Sequence, residues 1–148
     1  SVSELRRVAR NMMPESLRTP GLEAALSDLC KNAQHEGLSI HFNATNLAKT
    51  YDPRMLIAVY RIVQELITNT IKHSGSTQAW VQCSEQAGYI HLSVEDNGKG
   101  FTPGVAKSSN SGMGWQNIYN RVDMLQGTIS LDAAPGQGVS VHITLPIT

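Results

Sequence analysis

The segment 53–73 constrains this chain more than any other part of it. Met55, Val59, Ile62, Val63, Leu66 and Ile67 recur at helical spacing and make one apolar stripe. Arg61, Gln64, Glu65, Thr68, Asn69, Lys72 and His73 recur at three- and four-residue steps and share the other side. Pro53 suits the first turn of a helix and Gly75 suits the stop, so the pattern predicts one long helix over 53–73. Its apolar stripe requires a second layer to lie on. The polar stripe alone has two readings. It is a solvated surface, or it is the wall of a ligand cleft in which Glu65, Asn69 and His73 follow one another a turn apart. In the second reading Asn69 offers the neutral hard oxygen that suits Mg²⁺. Glu65 can orient a water or accept a proton, and Lys72 and His73 stand where phosphate oxygens need a positive partner.

The rest of the chain supplies that layer. Residues 2–13 read as a helix ended by Pro14, and 21–36 as a second, with Leu22, Ala25, Leu26, Leu29 and Ala33 on one face and Gly37 as its stop. Strands are expected at 38–42, 77–84, 89–95, 128–132 and 139–145, with a hairpin turn at 86–88, a polar loop at 43–52 and a helix over 114–125 closed by Gly127. The predicted class is α+β: a mixed sheet of about five strands covered by helices. At 148 residues the chain is one domain's length and long enough for a core without staples. Lys plus Arg and Asp plus Glu number 12 each, and this balance argues against duplex DNA or an anionic membrane as a broad partner. Cys30 and Cys83 form no C-x-x-C pair, which fits a reducing compartment and supports neither a disulfide framework nor a zinc site. No apolar run approaches the roughly 20 residues of a bilayer span, so the expectation is a soluble, cytoplasmic piece; this says nothing of the parent chain, for which the separate expectation is a membrane-bound protein.

Two glycine-bearing segments carry the remaining chemistry. Asp96-Asn97-Gly98-Lys99-Gly100-Phe101 follows a strand directly. Asp96 can accept a hydrogen bond from an exocyclic amine such as that of adenine, and Gly98 and Gly100 let backbone approach a flat base. A calcium loop fails here, because Gly98 stands where an oxygen ligand belongs and Lys107 where the bidentate Glu belongs; an ordinary turn remains open. Ser111-Gly112-Met113-Gly114 leads into a helix, whose free N–H groups favour an anion. Neither a P-loop nor a G-x-G-x-x-G is present. Gly136 and Gly138 fit a hairpin turn equally well. The stretch 96–110 is rich in Gly, Ser, Asn and Pro, a composition that in a compact domain points to a functional loop.

Taken together these segments resemble the GHKL, or Bergerat-fold, ATP-binding family, and within it the histidine kinases. Arg61 to His73 is similar to the family's N box, Asp96 to Phe101 to its first glycine box, Gly112-Met113-Gly114 to its second and Gly136-Gln137-Gly138 to its last. The short lid before Ser111 and the run from Gly114 to Val122 resemble sensor kinases that pair with helix-turn-helix response regulators. The opening run from Leu5 to Pro14 is similar to the end of a dimerisation helix.

The resemblance implies a two-layer α/β sandwich with about three helices. It implies that 1–16 ends the dimerisation helix and linker, and that 17–148 is the ATP-binding catalytic domain. Asn69 would hold Mg²⁺ on the ATP phosphates, and Asp96 would read the adenine amine. Gly98 and Gly100 would pack by the base. Gly112, Met113 and Gly114 would move with the lid, Lys72 and His73 would contact phosphate or ribose, and Glu65 would be the catalytic or metal-orienting acid. The implied partners are ATP, the chain's own upstream dimerisation domain in a homodimer, and a cognate response regulator, with no nucleic acid. The γ-phosphoryl acceptor would be a histidine upstream of Ser1; His35-Glu36 echoes an acceptor dipeptide but lies within the nucleotide domain. Alternatives are a nucleotide-binding switch without phosphotransfer and another GHKL ATPase. The chain departs from the family at Val139, where Thr often stands.

Overall fold

A computed structural model describes residues 21–34, 37–73, 75–100 and 113–147, without the side chains of His73 and Met113. The opening helix over 2–13, the boundary at 16/17, His35-Glu36, Phe101, the lid between it and Ser111, and Gly112 lie outside the described residues.

The elements, in chain order, are α1 (Leu22–Ala33), β1 (Ser39–Thr45), α2 (Pro53–His73), β2 (Gln78–Gln86), β3 (Tyr89–Asp96), α3 (Met113–Met124), β4 (Thr128–Ala133) and β5 (Val139–Pro146). Their order in space is β1-β2-β3-β5-β4 in one sheet. β1 runs parallel to β2, and every other pair is antiparallel. This is the mixed five-strand sheet expected from the sequence pattern, with the three helices among the described residues on one face.

α2 begins as its sequence dictates. The Asp52 carboxylate accepts the backbone N–H of Arg54 at 2.8 Å, and its carbonyl accepts the N–H of Leu56 at 3.0 Å, so Asp52 caps a helix whose first residue is Pro53. All six residues of the apolar stripe are buried, Val59, Ile62 and Val63 completely. They meet Leu22 and Leu26 of α1, Ile118 and Val122 of α3, and the inward residues Ile40, Val81, Leu92, Val94, Ile143 and Leu145 of the sheet. Each such side chain contributes about 2 kcal/mol of burial, so the aliphatic core fixes where α2 lies, and thereby where its polar stripe points.

Two boundaries differ most from expectation, the others by only one or two residues. α1 ends at Ala33 rather than near Glu36: Gln34 turns extended, and its side-chain oxygen accepts the N–H of Ile40. β1 continues to Thr45, although Asn43 to Thr45 is polar enough to read as loop. It pairs there with Gln82 to Ser84 of β2, and Asn43 and Thr45 are exposed because the sheet's second face carries no helix among the described elements. His41 and His142 are exposed and His91 is half-buried, all with the outward alternation of their strands. No helix among the described residues is long and apolar enough to cross a membrane.

Candidate nucleotide site

The polar stripe of α2 faces the start of α3. A β-carbon on Gly114 would stand 2.9 Å from Glu65 Oε2 and 3.3 Å from Asn69 Oδ1, so the first turn of α3 lies directly against these two side chains. Gly114, Glu65 and Asn69 therefore form one contact, although Gly114 lies far along the chain from the other two. Asn69 Nδ2 is buried and has no hydrogen-bond partner among the described residues. A buried amide left unpaired is rare in a finished core and points to a ligand-facing group. The neighbouring residues are spoken for: Thr68 Oγ1 donates to the Gln64 carbonyl at 2.9 Å, Thr70 Oγ1 to the Leu66 carbonyl at 3.1 Å, and Arg61 Nη1 to Gln64 Oε1 at 2.8 Å. Lys72 is exposed on the last turn of the same helix.

The acidic-glycine segment lies at the same end of the sheet, because β3 delivers Asp96 opposite Ala79, close to the start of β2. Asp96 Oδ1 accepts the N–H of Gly98 at 2.8 Å, which tightens the turn and leaves the second carboxylate oxygen without a partner among the described residues. The loop is seated from the other side by residues 134–138. A β-carbon on Gly100 would fall 2.1 Å from the Ala134 carbonyl oxygen, and one on Gly138 would fall 2.2 Å from that of Asp96. The Gly136 N–H donates to the Lys99 carbonyl. The last glycine pair is thus more than a hairpin turn: it is the backbone seat of the loop that carries Asp96. Val139 lies directly opposite Asp96 in the β3–β5 register.

Sequence reasoning assigned no role to Asn97, which the structure places at the centre of this loop's attachments. The signal was present in the motif itself, an amide side chain between the carboxylate and the first glycine. An open polar recess of about 400 Å³ lies at the opposite end of the sheet, lined in part by Asn43, Thr45, Gln82 and Glu85. Glu85 there already accepts the Tyr51 hydroxyl at 2.6 Å, and burial together with this bond pushes the Tyr51 phenol up to about 12. Among the described residues no group of three or more His, Cys, Asp or Glu could hold a metal alone. A cation at Glu65 and Asn69 would therefore share its shell with water and phosphate oxygens, as Mg²⁺ does.

A carboxylate and an unpaired amide thus lie under a glycine-led helix, in a two-layer sandwich with an acidic loop at the same end. The family model described as histidine kinase-, DNA gyrase B- and HSP90-like ATPase matches residues 56–148, and the chain belongs to that family. Its relatives include the signal transduction histidine-protein kinase/phosphatase DegS of Brevibacillus brevis, 30% identical over 149 residues, covering 100% of this chain and 38% of that one. DegS of Bacillus subtilis (strain 168) is 33% identical over 116 residues, covering 75% of this chain and 30% of its own length. The chain thus spans well under half of the relatives it matches. Among solved structures, the blue-light activated histidine kinase of Erythrobacter litoralis EL346 superposes with a TM-score of 0.74 at 18% identity, covering 98% of this chain and 50% of that one. Full-length ShkA in complex with AMPPNP gives 0.71 at 19% identity over 85% of this chain and 30% of that one.

Proposed function

We propose that this chain is the ATP-binding catalytic domain of a two-component sensor histidine kinase, which passes the ATP γ-phosphoryl to a histidine on an upstream helical segment. The observation that carries the reading is the contact of Gly114 with Glu65 and Asn69, with Asn69 Nδ2 left unpaired beside it. The free oxygen of Asp96 accepts the adenine amine, and Gly98 and Gly100 hold backbone close to the base. Asn69, with Glu65 behind it, takes the metal side of the phosphates, and Lys72 and His73 supply positive or hydrogen-bonding contacts to phosphate or ribose. Gly112, Met113 and Gly114 contact the nucleotide where the lid meets the phosphates. Mg²⁺, when bound, neutralises the charge on the transferring phosphoryl group. Glu65 orients water or metal, and the protein's share of catalysis is positioning and charge stabilisation. In the parent protein, dimerisation through the upstream helix and transfer to a response regulator complete the pathway, and the domain works on the cytoplasmic side of a membrane-bound parent.

Radiolabelled ATP tests the proposal. This chain alone should stay unlabelled, because the proposed acceptor is a histidine on the upstream helical segment and transfer needs that nucleophile in line with the γ-phosphate. A longer chain that includes the upstream helix should acquire acid-labile label, and Asn69→Ala should abolish it. Acid-labile label on the isolated domain, or none on the longer chain, would contradict it.

A further inference from the structure

Asn97 is exposed, yet its side chain is held by three hydrogen bonds. Its Oδ1 accepts the backbone N–H of Thr77 and that of Gln78, each at 2.9 Å, and its Nδ2 donates to Thr77 Oγ1 at 2.9 Å. Its own N–H donates to the Gln78 carbonyl at 3.2 Å. Both lone pairs of the amide oxygen are thus used on two consecutive N–H groups, an arrangement that fixes which end of the amide is oxygen. Thr77 immediately precedes β2 and Gln78 opens it, a few residues beyond the end of α2, the helix that carries Asn69 and Lys72. Asp96 immediately precedes Asn97. One side chain therefore ties the loop bearing the unpartnered carboxylate oxygen to the chain leaving the helix that bears the unpaired amide.

We propose that Asn97 is a positioning residue for nucleotide recognition: it fixes the Asp96 carboxylate relative to the C-terminal end of α2, and so sets the discrimination of adenine from guanine. This rests on the reading that Asp96 meets the exocyclic amine of the base. The carboxylate oxygen, an acceptor, faces a donor on adenine but the carbonyl oxygen of guanine, so discrimination depends on where that oxygen stands. Gly138 and Gly100 hold the loop from the β4–β5 side, and Asn97 is the side-chain tie on the β2 side. Because Asn97 is exposed, water can take over the freed N–H groups of Thr77 and Gln78. Its removal therefore changes position more than stability.

The test is calorimetric titration of the folded chain with ADP and with GDP, for wild type, Asn97→Ala, Asn97→Asp and Asp96→Asn. Aspartate retains an acceptor for both N–H groups, and the Thr77 hydroxyl can turn to donate to it. Wild type should prefer ADP, Asn97→Ala should lower the ADP-to-GDP preference by about tenfold, and Asn97→Asp should recover most of it. A loss of folded protein alone would reduce binding of both nucleotides equally and leave the ratio unchanged. An unchanged ratio in Asn97→Ala overturns the role of Asn97 while leaving the nucleotide site intact. Failure of Asp96→Asn to change the ratio, or failure of wild type to bind ADP, overturns the reading of Asp96 and with it this proposal.

Discussion

Two glycines in one turn should respond very differently to the same substitution. Gly136 and Gly138 both have positive φ, 79° and 73°, so alanine at either carries the left-handed penalty of about 1–2 kcal/mol. At Gly136 the added β-carbon meets nothing within 4 Å. At Gly138 it meets the Asp96 carbonyl oxygen at 2.2 Å, more than 1 Å inside ordinary contact, and the obstacle is backbone that cannot rotate away. Overpacking of this kind adds about 1–3 kcal/mol. Gly136→Ala should thus lose about 1 kcal/mol and Gly138→Ala about 3 kcal/mol. For a domain of this size these losses lower the melting temperature by about 4 °C and about 12 °C. Urea denaturation of both variants measures the difference, and ADP titration at a temperature where both are folded reads the site. Only Gly138→Ala should weaken ADP, because the displaced atom belongs to Asp96. Equal stability losses, or equal ADP affinities, would refute the argument that this turn seats the acidic loop.

Further outcomes follow from the core and its buried thiols. Ile118→Ala removes a fully buried contact between α3 and α2 and should cost about 3 kcal/mol in urea denaturation, whereas Trp80→Ala on the open sheet face should change stability by less than about 1 kcal/mol. Burial pushes the Cys30 thiol up to about 11 and the Cys83 thiol up to about 12, from 9.0. Both thiols should therefore resist a disulfide reagent at pH 8 until the protein unfolds. Their raised values also set an alkaline limit. Stability gained from keeping them neutral is complete below pH 9 and lost as pH rises through 11 to 12. The melting temperature should fall less steeply over that window in the Cys30→Ala/Cys83→Ala variant than in wild type.

Helical periodicity made α2 legible from end to end, because its stripe has one use, the aliphatic core, and its start has a proline behind a capping aspartate. The grouping of Glu65 and Asn69 was legible for the same reason: two residues four apart on one helix share a face whatever the fold. Their meeting with Gly114 was legible only through resemblance, since no local rule brings α3 over α2. Asn43 to Thr45 were misread because β-propensity reflects the surface a strand packs on, and β1 has a polar outer face. Asn97 and the seating role of Gly138 were out of reach because both act across strands distant in sequence. An amide in a turn ordinarily bonds its own neighbours, whereas Asn97 bonds Thr77 and Gln78.

The central claim concerns where an adenine nucleotide binds, and an isotope-labelled titration with Mg-ADP measures it directly. The account predicts that amide resonances of Glu65, Asn69, Asp96, Gly98, Gly100 and Gly114 shift together and saturate together, while those of Thr45, Gln82 and Glu85 around the polar recess at the other end of the sheet stay in place. Saturable shifts confined to that recess, or no saturable shifts at millimolar Mg-ADP, would contradict it.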